Sequence, residues 1–235
     1  MVGRMDLGSM KWPGSNWQEM LKDALPVLQA LPEHMSWTLG GGTALALHIQ
    51  HRVSHDIDIF FKTVEALELL SPTINPATRG IARSWREHGH FLKLSRDDGE
   101  IDFIVGRSIM KSPSTPNWIC GASVNLEKPG EILAKKVMFR GTHLTIRDMF
   151  DIAAVAALAP AELSSLDLVD YDKLRTTRDR ASLLAVDWSQ EVRKGIAPLE
   201  AGMKIIENGP ELCIGALDKA IERAAVRPQG RENQR

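Results

Sequence analysis

The sequence predicts an α/β (α+β) protein: a small mixed β-sheet core flanked by helices, followed by a helical C-terminal domain. Three observations predict it. Residues 36–39 form a short strand candidate that runs into Gly40-Gly41-Gly42-Thr43, a helical stretch at 44–52, and then Asp56-Ile57-Asp58-Ile59-Phe60, where polar and apolar residues alternate with a strand's period. Further on, an apolar run at Phe91, Leu92 and Leu94 is joined through Arg96-Asp97-Asp98-Gly99 to a second run at 100–105, the pattern of a hairpin. Beyond Pro160 the pattern is helical, with no glycine-rich or paired-acid motif of its own. The expected division is a flexible leader at 1–15, the α/β core at 16–127, a helical domain at 128–226, and a disordered tail at 227–235.

With 235 residues the chain can bury a sizeable core, as one large domain or two small ones. Charged residues at 25% and hydrophobic residues at 43% are those of an ordinary soluble protein. A formal charge of -1 argues against a wholesale basic nucleic-acid binder, so any RNA contact would rest on a local cluster. Cys120 and Cys213 match no metal or redox spacing, which points to a reduced protein. There is no charged-then-apolar leader and no membrane-length apolar run; residues 152–159 are too few to span a bilayer. A cytoplasmic protein with no membrane partner is expected.

In chain order, Trp17, Met20, Leu21, Ala24, Leu25 and Leu28 recur at helical spacing, with Pro32 ending the helix. The glycines at 40–42 stand at a strand-to-helix junction, where backbone amides and a helix N-terminus suit a phosphate; a plain flexible turn is the alternative. His48, His51 and His55 read as packing or solvated histidines rather than a metal cluster. A helix start is expected at 63–70, a second helical piece at 77–87, and the hairpin at 91–105. Residues 111–117 form a Ser/Pro loop and 118–124 one more strand candidate. Pro129-Gly130 opens a helix that Gly141 closes, and Thr145-Ile146-Arg147-Asp148 has the spacing of a capping box for the helix after it.

The chemistry concentrates in the carboxylates. On a strand, Asp56 and Asp58 share one face and repel each other, an arrangement that a divalent cation such as Mg²⁺ or Mn²⁺ makes favourable. Asp102, between apolar neighbours on its own strand, is the natural third carboxylate, with an outward-facing Asp as the alternative. Arg52 and Ser54 flank the acids: Arg52 suits a helix C-terminus or a substrate phosphate, and a phosphate added to Ser54 would put negative charge beside the metal site. Asp148 serves either as a cap partner or in the cleft, and Asp151 has the spacing to pair with Arg147 along the helix. These residues suit metal-dependent phosphoryl or nucleotidyl transfer.

Gly41-Gly42-Thr43-Ala44-Leu45, then Arg52-x-Ser54-x-Asp56-Ile57-Asp58-Ile59-Phe60, then Glu131-Ile132-Leu133-Ala134-Lys135-Lys136, then Arg140-Gly141 and Arg147-Asp148-x-x-Asp151, resemble in that order the AbiEii/AbiGii-type toxin nucleotidyltransferases of the DNA polymerase β superfamily. The resemblance covers roughly residues 39–157. It implies a small mixed sheet with a helical C-terminal domain, and a toxin of a toxin–antitoxin or phage-defence system that moves a nucleotide from an NTP onto an acceptor, often RNA such as tRNA. Carried over by position, Gly41, Gly42 and Thr43 would hold the triphosphate together with Arg52 and Ser54. Asp56 and Asp58 would hold Mg²⁺, with Asp102 as the third ligand. Lys136, or its neighbour Lys135, would neutralise phosphate charge, and Asp148 would position or deprotonate the acceptor. A cognate antitoxin is implied as a partner. Two other classes stand beside this one: a metal-independent ribonuclease built on the Arg-x4-His spacing of Arg83 and His88, and a non-catalytic NTP-binding or protein-binding module.

Overall fold

The computed structural model describes residues 7–226, so the expected tail and residues 1–6 of the leader lie outside the described residues. Residues 7–15, read from the sequence as part of the leader, lie against the core. Trp12 is buried, its ring 5.6 Å from that of Trp17, and the Ser15 hydroxyl donates to the Ser54 carbonyl at 2.6 Å. An indole hidden from water contributes on the order of 2 kcal/mol, enough to hold a short segment down.

The core begins with α1 (Trp17–Gln29), whose residues Trp17, Met20, Leu21, Ala24, Leu25 and Leu28 form the expected buried stripe. Strand β1 (Trp37–Gly40) passes directly into α2 (Gly41–Ile49), which ends at Gln50 in the left-handed region, φ 46°. Strand β2 (Ile57–Phe61) then buries Ile57, Ile59 and Phe61 and leaves Asp58 and Phe60 on its other face, as the alternation requires. Two short helices follow, α3 (Glu65–Leu70) and α4 (Pro76–Gly80), the second capped by Asn75, whose side chain accepts the amides of Ala77 and Thr78.

Here the structure differs from the sequence reading. Residues 84–88 are not helical but form β3 (Ser84–His88), paired antiparallel with β4 (Phe91–Ser95). All five β3 residues are exposed, so no buried face set a strand period; the ladder to β4 decides the conformation. The hairpin continues through Gly99, φ 148°, into β5 (Glu100–Val105). A second hairpin, β6 (Ser114–Ile119) and β7 (Ala122–Glu127), replaces the expected loop and single strand. Its turn residues Cys120 and Gly121 both have positive φ, 53° and 81°, as a two-residue hairpin loop requires. Pro116 is tolerated because β6 is an edge strand.

The sheet runs β3-β4-β5-β2-β1-β7-β6, with β2 parallel to β5, β1 parallel to β7, and the other neighbours antiparallel. It is the small mixed sheet expected, flanked by helices. The helical part opens with α5 (Pro129–Arg140), with proline in its first turn and Gly141 beyond it at φ 50°. Then come α6 (Ile146–Leu158), a 3₁₀ stretch at Pro160–Leu168, α7 (Tyr171–Ala185), α8 (Trp188–Gly195), α9 (Glu200–Met203) and α10 (Ile205–Ala225). The capping box before α6 is present: Thr145 and Asp148 each bond the other's backbone amide. Among the described residues no helix is long and apolar enough to cross a membrane.

Candidate active site

Strand register builds a row of charges across the sheet. Gly40 on β1 lies opposite Asp58 on β2, Asp58 beside Asp102 on β5, and Asp102 opposite Lys93 on β4. Asp102 Oδ2 is 2.9 Å from Lys93 Nζ, while its Oδ1 is buried with no hydrogen-bond partner. Asp58 is pushed up to about 6, first by burial and then by the charges of Asp102 and Asp56, against the pull of Lys136. Burial also raises Asp102, opposed by Lys93. Asp56 precedes β2; its Oδ1 accepts the Glu100 amide at 3.0 Å and its carbonyl accepts the Thr43 hydroxyl. Among the described residues no three His, Cys, Asp or Glu side chains form a ready cation cage. The donor set nevertheless fits a hard divalent ion: two carboxylates side by side, one oxygen unpartnered, and both acids held above their ordinary range, first by burial.

The glycine turn is shaped around these acids. Gly41 has φ 65°, and a Cβ there would fall 1.8 Å from Asp58 Oδ2. A Cβ on Gly42 would meet Arg52 Nη2 at 2.7 Å and Ser54 Oγ at 3.1 Å. Gly41→Ala is therefore expected to displace Asp58 and lower activity about 100-fold with the fold retained, as misplacement of a reacting group by an ångström does. Activity assays with circular dichroism on the variant check this, and near-normal activity would contradict it.

Behind the turn lies a buried ion network. Arg52 holds Asp151 through two bonds, Nε to Oδ1 at 2.7 Å and Nη2 to Oδ2 at 2.9 Å. His51 Nε2 meets the same Oδ1 at 2.7 Å, and Lys136 Nζ reaches Asp151 Oδ2 at 3.0 Å and Asp148 Oδ1 at 2.6 Å. The pairing of Asp151 with Arg147 is not formed; Arg147 donates to the Gly195 carbonyl instead, because Asp151 faces inward where Arg52 is buried. Burial pushes the Asp151 carboxyl upward, but Arg52 and Lys136 outweigh it and hold the group well below the usual range. Lys136 stays above its ordinary value, since Asp151 and Asp148 outweigh its burial. His48 bonds the Glu127 carbonyl and His55 the Gly14 carbonyl, so the three histidines are packing groups.

A cavity of about 780 Å³ opens in front of the carboxylate row, lined by Gly41, Gly42, Asp58, Asp102, Lys93 and Lys136 among others. Its size suits a nucleotide. Residues 23–200 match the family described as nucleotidyl transferase AbiEii toxin, type IV toxin–antitoxin system. The chain belongs to this family. A member is a nucleotidyltransferase toxin, with an NTP as substrate, a divalent metal as the family's usual cofactor and an antitoxin as partner. Among solved structures, MenT4, a nucleotidyltransferase toxin from Mycobacterium tuberculosis H37Rv, aligns over 93% of this chain and 87% of that one, with 15% identity and a TM-score of 0.45. No curated protein sequence matches.

In this AbiEii-family chain the cavity brings together Gly41, Gly42, Asp58, Asp102 and Lys136. Thr43, Arg52, Ser54 and Asp148 are buried, and Asp56, bonded to the Glu100 amide, is not among the side chains that line the cavity. Ser54, 7% exposed, is out of reach of a modifying enzyme in the folded chain. Lys135 also lines the cavity, but its ammonium is paired with Glu127 and lies 3.8 Å above the centre of the Phe60 ring. Sequence reasoning missed Lys93 and Glu127. For Lys93 a signal existed: it alternates with the buried Leu92 and Leu94, which places it on the face opposite the core.

Proposed function

We propose that this toxin moves a nucleoside monophosphate from an NTP to an RNA acceptor such as tRNA, using Mg²⁺ or Mn²⁺, and acts in the cytoplasm as the toxic half of a phage-defence pair. The supporting observation is the in-register Asp58–Asp102 pair, with its unpartnered oxygen, in a nucleotide-sized cavity that also holds Gly41, Gly42 and Lys136. In this reading Asp58 and Asp102, with Asp56 at the strand entry, hold the ion. Bound there, the ion supplies Lewis-acid stabilisation of charge on the transferring phosphoryl group and the leaving pyrophosphate. Gly41, Gly42 and the N-terminus of α2, steadied by Thr43, hold the triphosphate. Lys136 neutralises its charge. The acceptor hydroxyl oxygen bonds to the α-phosphorus, the bridge to the β-phosphorus breaks, pyrophosphate leaves, and a carboxylate of the cavity takes the hydroxyl proton.

Arg52 and Ser54 act behind the turn as positioning groups. Asp148 holds Lys136 rather than meeting the acceptor: it lies below its ordinary range despite burial, because of Lys136 and Arg140, and is a poor base. The ribonuclease reading loses its footing. Arg83 lies just before β3 with its guanidinium paired to Asp97, and His88 ends that strand stacked on Phe91, so the segment is extended rather than the helix this spacing belongs to.

Incubation with each α-labelled NTP, Mg²⁺ and total cellular RNA is expected to label RNA from one or two of the four nucleotides, and a chelator abolishes the labelling. RNA shortened in the presence of the chelator, or no labelled product with any NTP, would overturn the reading.

A further inference from the structure

Glu127, at the end of β7, is a cavity residue with no part in the scheme above. It is 1% exposed and lines the same cavity. Its Oε1 accepts from Thr38 Oγ1 at 2.7 Å and from Lys135 Nζ at 2.5 Å, whereas Oε2 is buried with no partner. The fold makes room for this acid: a Cβ on Gly40 would lie 2.4 Å from Oε2. The charge around it is not balanced. Glu131, the other acid near Lys135, accepts the amides of Ile109 and Met110, so two carboxylates share one ammonium. The neighbouring cavity wall includes Ile132 and Phe139 from α5, which also carries Lys136, and Phe60 from β2, whose ring face carries the Lys135 ammonium at 3.8 Å. Apolar side chains such as Ile132 and Phe139 near a hydrogen-bonding acid suit a flat heterocycle.

We propose that Glu127 Oε2 accepts a hydrogen bond from an N–H of the incoming nucleobase and so takes part in choosing the nucleotide. This rests on the nucleotidyltransferase reading for the identity of the ligand. A ribose hydroxyl has the same donor chemistry, and ribose triphosphate lacking a base separates the two sources.

The variant Glu127→Gln has a defined outcome. Thr38 and Lys135 are both donors, so the amide oxygen stays with them and the NH₂ group takes the Oε2 position, replacing an acceptor by a donor. Calorimetric titration of the full chain with the four NTPs and with ribose triphosphate, all with Mg²⁺, is expected to show Glu127→Gln binding the preferred NTP about tenfold more weakly than wild type, with ribose triphosphate bound equally by both. Wild type should lose a similar factor for a base analogue in which that N–H is replaced by C–H, an arm that decides the matter if the variant folds poorly. Equal affinity of both proteins for all four NTPs would overturn the proposal, as would an equal loss for ribose triphosphate, or undiminished binding of the C–H analogue to wild type. A wild type that binds NTP without labelling RNA sinks only the transfer reading and leaves this comparison standing; one that binds no NTP sinks both.

Discussion

Asp58→Asn is expected to lower nucleotidyl transfer about 1,000-fold or more while leaving the free protein as stable as wild type, or more so. The loss of activity follows from removing a charged ligand at the centre of the carboxylate row. The gain in stability follows from linkage. The Asp58 carboxyl is raised by burial and by Asp102 to about 6, above its value in the unfolded chain, so the folded protein binds the proton more tightly between these two values. Stability contributed by the protonated form is present at low pH and lost as pH rises through about 6, leaving a strained carboxylate at neutral pH. Replacing it by a neutral isostere relieves on the order of 1–3 kcal/mol, which raises Tm by several degrees in a chain of this size. Mg²⁺ should raise the wild-type Tm more at pH 7 than at pH 5, where the ion competes with a proton, and leave the variant nearly unchanged. Differential scanning fluorimetry at the two pH values measures this; an Asp58→Asn protein with wild-type activity would remove the basis of the proposed mechanism.

Asp151→Asn is expected to act in the opposite sense, on the fold first. Asp151 is 1% exposed and receives Arg52, Lys136 and His51 together. Lys136 retains Asp148, but Arg52 loses both of its charged bonds and stays buried. Breaking a buried pair from one side costs about 3–5 kcal/mol, a large share of the roughly 5–15 kcal/mol that a domain possesses. A fall in Tm of roughly 10 °C is expected at pH 7. The pH dependence has a definite sign. Asp151 is held well below its unfolded value, so its contribution is complete above about pH 4 and is lost as pH falls further. Wild type should therefore lose stability on acidification below that point more steeply than the variant. Denaturant melts from pH 7 to pH 3 compare the two, and parallel curves would show that Asp151 is not the acid-sensitive support of this site.

What could be read without coordinates was what short range determines. The alternation at Ile57–Phe60, the turn at Gly99, the α1 stripe and the Thr145–Asp148 capping box each depend on neighbours a few residues away, and each is found, although the strand starts one residue after Asp56. Ser84–His88 was misread because an exposed edge strand has no inward face to mark its period. The β6 strand was hidden by Pro116, harmless at an edge. At the site, the acids were legible by type and spacing, whereas Lys93 beside Asp102 and Glu127 beside Gly40 depend on pairings between strands. Arg52 illustrates the same limit: its neighbours in sequence suggest a phosphate contact, and only the docking of α6 reveals the carboxylate it meets.

The distance along the chain between Arg52 and Asp151 has a consequence for the order in which the site is assembled. Ninety-nine residues separate the two ends of that ion pair. During translation the glycine turn and the acids precede α6, and until α6 is made Arg52 and Lys136 lack the carboxylates they meet in the folded chain. A fragment that stops before α6 lacks the carboxylates that hold Arg52 and Lys136, and is expected to show no nucleotidyl transfer when purified and assayed with labelled NTP.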